Sequence, residues 1–144
     1  MVSTKPRRSS SNESVEVCLC VKLYYLRTKD HTPWHMSSAN PSLVKNWYRA
    51  TGGRPGLRVL LPLCGASRDL GWLYRQGHTV VGVEGSRKAV EKLFTGEQLE
   101  YQVDSPARDV WLFTSTDSGL SVYVMDFFQV STELIGSFDA VFDR

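Results

Sequence analysis

A glycine at position 65 and an acid at position 84 carry the most chemical content in this chain. They sit in the stretch LRVLLPLCGASRDLGWLYRQGHTVVGVE, residues 57–84. An apolar run, Arg58–Leu63, leads into Gly65, where the missing side chain permits a tight turn and a close backbone approach to a ligand. A second apolar run, Thr79–Val83, ends on Glu84. An acid about 20 residues beyond a glycine turn is placed to accept hydrogen bonds from ribose hydroxyls. The implied chemistry is the holding of a nucleoside-type cofactor.

The turn narrows the choice of cofactor. A dinucleotide fingerprint needs three glycines, because a pyrophosphate lies against bare backbone. The turn here is Gly65-Ala66-Ser67-Arg68-Asp69-Leu70-Gly71, with one glycine where three are wanted, which disfavours NAD. No Gly-Lys-Ser/Thr follows, so a Walker A loop is absent. A ligand with ribose and no phosphate fits better, and S-adenosylmethionine is the common one. The competing reading is an ordinary βαβ unit whose Glu84 is a solvated strand end.

Particular residues add to the spacing. Pro62-Leu63-Cys64-Gly65, then Asp69-Leu70-x-Trp72-Leu73, then Gly77-His78-x-Val80-Val81-Gly82-Val83-Glu84 closely resemble the thiopurine S-methyltransferase family. Ala89-Val90, Leu93-Phe94 and the closing Phe138-Asp139-x-Val141-x-Asp143-Arg144 continue the likeness. Upstream, Thr32-Pro33-Trp34-His35 looks like the family's Thr-x-aromatic-His motif. The resemblance implies a class I methyltransferase dependent on S-adenosylmethionine, acting on sulfur or related selenium nucleophiles. It implies an α/β fold, Rossmann-like, with a doubly wound, mostly parallel seven-stranded sheet. This chain would supply the first four sheet strands, with an extra hairpin strand before the third and the C-terminal half missing.

The resemblance also assigns residues. Glu84 would accept from both ribose hydroxyls. Leu63 and Gly65 would line the turn beneath the methionine part. Asp126 and Phe127 fall on the adenine-contacting pair, the acid accepting from the exocyclic amine and the ring packing on the base. Trp34 would contact cofactor and substrate, with a cation–π attraction toward a sulfonium. Arg144 would orient an anionic substrate or the cofactor carboxylate. His35 and Cys64 are expected to be structural. No catalytic acid or base is expected, because a sulfonium methyl is already activated and an ionised thiol needs only alignment. One departure is that Leu23-Tyr24-Tyr25-Leu26-Arg27 has no tryptophan where the family has a tryptophan-rich lid segment. A truncated, non-catalytic isoform that binds cofactor or a partner is the alternative function.

Composition sets the bounds. A chain of 144 residues with 42% hydrophobic content suits one domain. Residues 1–26 read as a divergent N-terminal segment and 27–144 as a partial methyltransferase domain. The formal net charge is +2, and Lys5, Arg7 and Arg8 account for more than that excess. A near-neutral body gives no reason to expect nucleic acid as a partner. Three cysteines do not make a disulfide framework, and Cys18-Leu19-Cys20 is too closely spaced for a zinc pair. Val15–Leu26 is short and carries Glu16 and Lys22, so no membrane span is expected. The expected setting is cytoplasmic, with a small-molecule thiol as partner and a monomeric state.

The elements that must position these residues follow from local signals. Asn40 caps a helix with Pro41 at its first position and Leu43, Val44, Trp47 and Ala50 on one face, ended by Gly52-Gly53. Ser67 caps the helix after the glycine turn, which runs to about Gly77. Ser86 caps the next, with Ala89, Val90, Leu93 and Phe94 inward and Gly96 as its stop. Val110–Thr114 and Leu120–Met125 read as strands joined at Asp117-Ser118-Gly119, and Phe138–Phe142 as the last strand.

Overall fold

The structure, a computed structural model, describes residues 37–143. Helix α1 spans Pro41–Thr51; the Asn40 side chain accepts from the Ser42 N–H, and Gly52 closes the helix at φ 64°. Its inward stripe is Leu43, Trp47 and Thr51, at i, i+4, i+8 spacing. Val44 and Ala50, expected inward, are exposed, because the helix meets the body through a single narrow row.

Strand β1 is Arg58–Leu61, α2 is Arg68–Arg75, β2 is Thr79–Glu84 and α3 is Arg87–Glu97. Ser67 and Ser86 cap their helices as expected, accepting from the N–H groups of Asp69 and Ala89. Helix α3 runs through Gly96 and ends at Glu97, after which Gln98 turns left-handed at φ 57°. Gly96 is kept in the helix beside Arg68, whose guanidinium donates to its carbonyl at 2.5 Å.

Next come β3 (Tyr101–Ala107), β4 (Val110–Ser115) and β5 (Leu120–Val124), a single 3₁₀ turn (Phe127–Gln129), α4 (Thr132–Ile135) and β6 (Ala140–Val141). The sheet has six strands in the order β3-β4-β5-β2-β1-β6. The central pairs β5·β2, β2·β1 and β1·β6 are parallel, while β3·β4 and β4·β5 are antiparallel. The core is therefore the expected parallel α/β sheet, extended on one side by two hairpin strands rather than one. The added strand β3 is exposed along its whole length and carries Pro106, as befits a sheet edge. β6 is shorter than expected but firmly attached. Arg58 donates its backbone N–H to Asp139 at 2.8 Å and its guanidinium to the carbonyls of Ser137 and Ile135.

Two apolar clusters flank the sheet. The larger joins Val59, Leu61, Val80 and Val122 with Leu43, Leu70, Leu73, Leu93 and Phe94 from α1, α2 and α3. The smaller gathers Val83, Met125 and Ile135, with Leu60, Tyr123 and Phe127 packed against it. β2 is buried on both faces, so its carboxyl end lies inside the molecule. Among the described residues no helix is long and apolar enough to cross a membrane.

Candidate functional site at the carboxyl ends of the parallel strands

The strand order reverses beside β1, since β2 follows on one side and β6 on the other. Ligands of open α/β sheets bind outside the strand carboxyl ends at such a reversal. The turn that leaves β1 here is Pro62–Ser67. β1 ends at Leu61, earlier than the apolar run suggested, because Leu63 is left-handed at φ 47° and Gly65 follows at φ 55°. A left-handed leucine is unfavourable by about 1–2 kcal/mol, so the surrounding bonds must hold it. They include Cys64 N–H to the Val83 carbonyl at 3.1 Å and Ser67 N–H to the Cys64 carbonyl at 3.2 Å.

Glu84 closes this arrangement. It is 2% exposed at the last position of β2. Its Oε2 accepts the Gly65 N–H at 2.8 Å, and its Oε1 accepts the Ser86 N–H at 2.9 Å. The carboxylate thus bridges the turn after β1 and the turn after β2. Glu84 is therefore not a solvated strand end. The close fit continues behind the turn. A Cβ on Gly82 would stand 2.8 Å from the Cys64 sulfur and 3.0 Å from Leu70. Cys64 is a buried packing residue.

Asp126 and Phe127 follow β5, which pairs with β2 so that Val124 lies opposite Glu84. The Met125 N–H donates to the Glu84 carbonyl at 3.0 Å, which fixes the start of this loop against the end of β2. Asp126 is exposed and accepts the Phe128 N–H at 3.0 Å, capping the 3₁₀ turn; Phe127 is half-buried against the smaller cluster. The structure brings Leu63, Gly65, Glu84, Asp126 and Phe127 to one edge of the sheet. Trp34 and Arg144, like His35 and residues 1–26, lie outside the described residues.

Two residues beside the site have roles that local patterns did not give. Asp69 is 1% exposed and accepts the Asn40 N–H at 2.6 Å and the Ser67 hydroxyl at 2.8 Å. His78, 6% exposed, lies between Trp47 and β1, with its Nε2 2.9 Å from the indole nitrogen and its Nδ1 3.1 Å from the Leu57 amide. Burial lowers its pKa below the usual 6.5. Both partners span more than 20 positions of sequence, which hides them from any periodicity.

A cavity of about 480 Å³ opens elsewhere, against Ser37, Arg68, Trp72, Arg75, Glu97 and Gln98. Its two arginines both bind the one buried Glu97 carboxylate, which offsets one of their two charges within the protein.

The chemistry available at the strand ends is hydrogen-bond acceptance, from a buried carboxylate and an exposed one, with an aromatic ring beside the second. That set suits vicinal hydroxyls and an exocyclic amine. A probable thiopurine S-methyltransferase of Danio rerio is 36% identical over 115 residues, covering 78% of this chain and 50% of its own. A thiopurine S-methyltransferase of Pseudomonas putida is 39% identical over 112 residues, covering 77% and 50%. A solved TehB-like SAM-dependent methyltransferase of Corynebacterium glutamicum aligns over 54% of this chain and 37% of its own, at 18% identity and a TM-score of 0.34. The chain spans about half the length of the curated relatives it matches. The family profile for thiopurine S-methyltransferase matches residues 26–144, a range that takes in every helix and strand described here. On that match the chain belongs to the thiopurine S-methyltransferase family.

Proposed function

We propose that this chain carries the cofactor cradle of an S-adenosylmethionine-dependent methyltransferase acting on aromatic or heterocyclic thiols. The observation that carries the reading is Glu84, buried at the end of β2 and bonded to both flanking turns. Its carboxylate is held still before any ligand arrives, so accepting from two ribose hydroxyls costs little reorganisation. Leu63 and Gly65 line the turn beneath the methionine part, by backbone contact and close approach. Asp126 accepts from the exocyclic amine of adenine, and Phe127 packs on its ring. When bound, the cofactor supplies an activated methyl carbon on a positive sulfur. The protein has to align the thiolate with it and exclude water. No residue is assigned a proton to move. Trp34 and Arg144 are proposed to complete the site on the substrate side. The same reading takes residues 27–144 as the domain, residues 1–26 as an added segment, and the setting as a cytoplasmic monomer with a small-molecule thiol as substrate.

Calorimetric titration with S-adenosylhomocysteine tests the reading, followed by methyl transfer to an aromatic thiol. The expected result is micromolar binding, about −8 kcal/mol, that a Glu84→Gln variant loses. A folded chain that binds nothing sinks the reading. Binding without transfer favours a cofactor-binding module over an enzyme.

A further inference from the structure

Asp69 is a buried carboxylate with two partners in different parts of the chain. Its Oδ1 takes the backbone N–H of Asn40, 29 positions earlier, at 2.6 Å. Its Oδ2 takes the Ser67 hydroxyl at 2.8 Å, and the Ser67 oxygen in turn accepts the Asp69 N–H at 3.2 Å. Ser67 is also fastened to the glycine turn, through its N–H to the Cys64 carbonyl at 3.2 Å. A helix-dipole role would be met by an exposed acid, whereas Asp69 is 1% exposed. Burying a carboxylate is costly unless it is well bonded, so its position calls for a task that an exposed acid could not perform. Asn40 is the cap of α1, and in sequence the Ser37–Asn40 stretch follows the Thr32–His35 motif after Met36. One carboxylate thus joins the turn after β1 to the point where the chain enters α1.

We infer that Asp69 is a positioning residue that couples the glycine turn to the chain entering α1, so that a ligand seated on the turn is felt at Asn40. The inference rests on the cofactor reading above and deepens it. The path is short and continuous: Cys64 carbonyl, Ser67 N–H, Ser67 hydroxyl, Asp69 carboxylate, Asn40 N–H. It gives the Ser37–Asn40 stretch a physical link to the state of the cradle. Because coupling is reciprocal, anything that fixes Asn40 also tightens the turn.

Amide spectra of the full chain titrated with S-adenosylhomocysteine test this. Two reporters are built in: the Gly65 N–H, which donates to Glu84, and the Asn40 N–H, which donates to Asp69. In the wild type both signals are expected to move with one dissociation constant. In Asp69→Ala, which removes both acceptor oxygens, the Gly65 signal still moves, the Asn40 signal stays in place, and binding weakens about fivefold or more. Ser67→Ala is the second variant. It keeps the Asp69–Asn40 bond, so Asn40 retains its ligand-free position but no longer follows the titration. A purely structural role would lower stability without separating the two responses. A silent Asn40 in the wild type, or an Asn40 that follows the ligand in both variants, overturns the coupling alone. A silent Gly65 in the wild type overturns the cofactor reading and the coupling with it.

Discussion

The Gly65 amide donates to Glu84 Oε2 at 2.8 Å, across the gap between the first two core strands. The carboxylate expected to face a ligand is therefore also a staple of the fold. Glu84→Ala leaves two amides without their acceptor, and each such loss costs about 1–3 kcal/mol. Glu84→Gln keeps one acceptor and the shape. The expected outcome is a folded Gln variant, destabilised by about 1–3 kcal/mol, with S-adenosylhomocysteine affinity reduced at least tenfold. Urea titration and calorimetry on the same sample check both halves.

Gly82 has no room for a methyl group. The nearest atoms to a Cβ there are the Cys64 sulfur at 2.8 Å, Leu70 at 3.0 Å and Val122 at 3.2 Å, all side chains of the packed core. Gly82→Ala is expected to cost about 1–3 kcal/mol by overpacking. Cys64→Ala removes the closest atom, so the double variant should be more stable than the sum of the singles. A double-mutant cycle by urea unfolding reads this coupling directly, and strict additivity would count against it.

His78 makes stability depend on pH with a defined sign. Its folded pKa lies below 6.5 because burial disfavours the imidazolium. Above that value the ring is neutral in both states and stability is level. As pH falls below 6.5, the unfolded chain takes up the proton first and stability drops, levelling off once the folded ring is protonated. The urea midpoint of the wild type should fall over that window more than that of His78→Gln. Equal slopes for the two proteins would remove His78 from the account.

Asp117 at the β4–β5 turn has its carboxyl held at about 2, first by the Tyr74 hydroxyl, then by the Ser115 hydroxyl and the Gly119 amide. The Tyr74 phenol is pushed up by the same bond. A carboxyl whose folded pKa is depressed from 3.8 adds stability above that value and loses it as pH falls toward 2. In Tyr74→Phe the Asp117 titration, followed by carboxyl carbon shifts, should move upward toward its ordinary value. An unchanged titration would show that the turn alone sets it.

What the sequence disclosed depended on range. Asn40, Ser67 and Ser86 were legible as caps because a cap bonds within three residues of itself. The interval from Gly65 to Glu84 was legible because strand, turn and helix lengths are fixed by geometry. β3 was missed because the alternation of Tyr101-Gln102-Val103-Asp104 lasts only four residues before Ser105-Pro106, and a proline argues against a strand. Gly96 was misread as a stop because the arginine that receives it comes from α2. Val44 was placed inward because apolar character alone cannot show how wide a stripe a helix buries. The bridging roles of Asp69 and Glu84 needed the fold, since each joins groups that only the sheet brings together.

The double bonding of Glu84 bears on how such chains change over generations. A descendant that ceased to use the ligand would still need an acceptor between the Gly65 and Ser86 amides. Drift at this position would therefore be slow even without methyl transfer, while Asp126, exposed and capping a single turn, would be released early. Among relatives, loss of the acid after β5 with retention of the acid after β2 would be the mark of a cradle that persists as architecture after its occupant has gone.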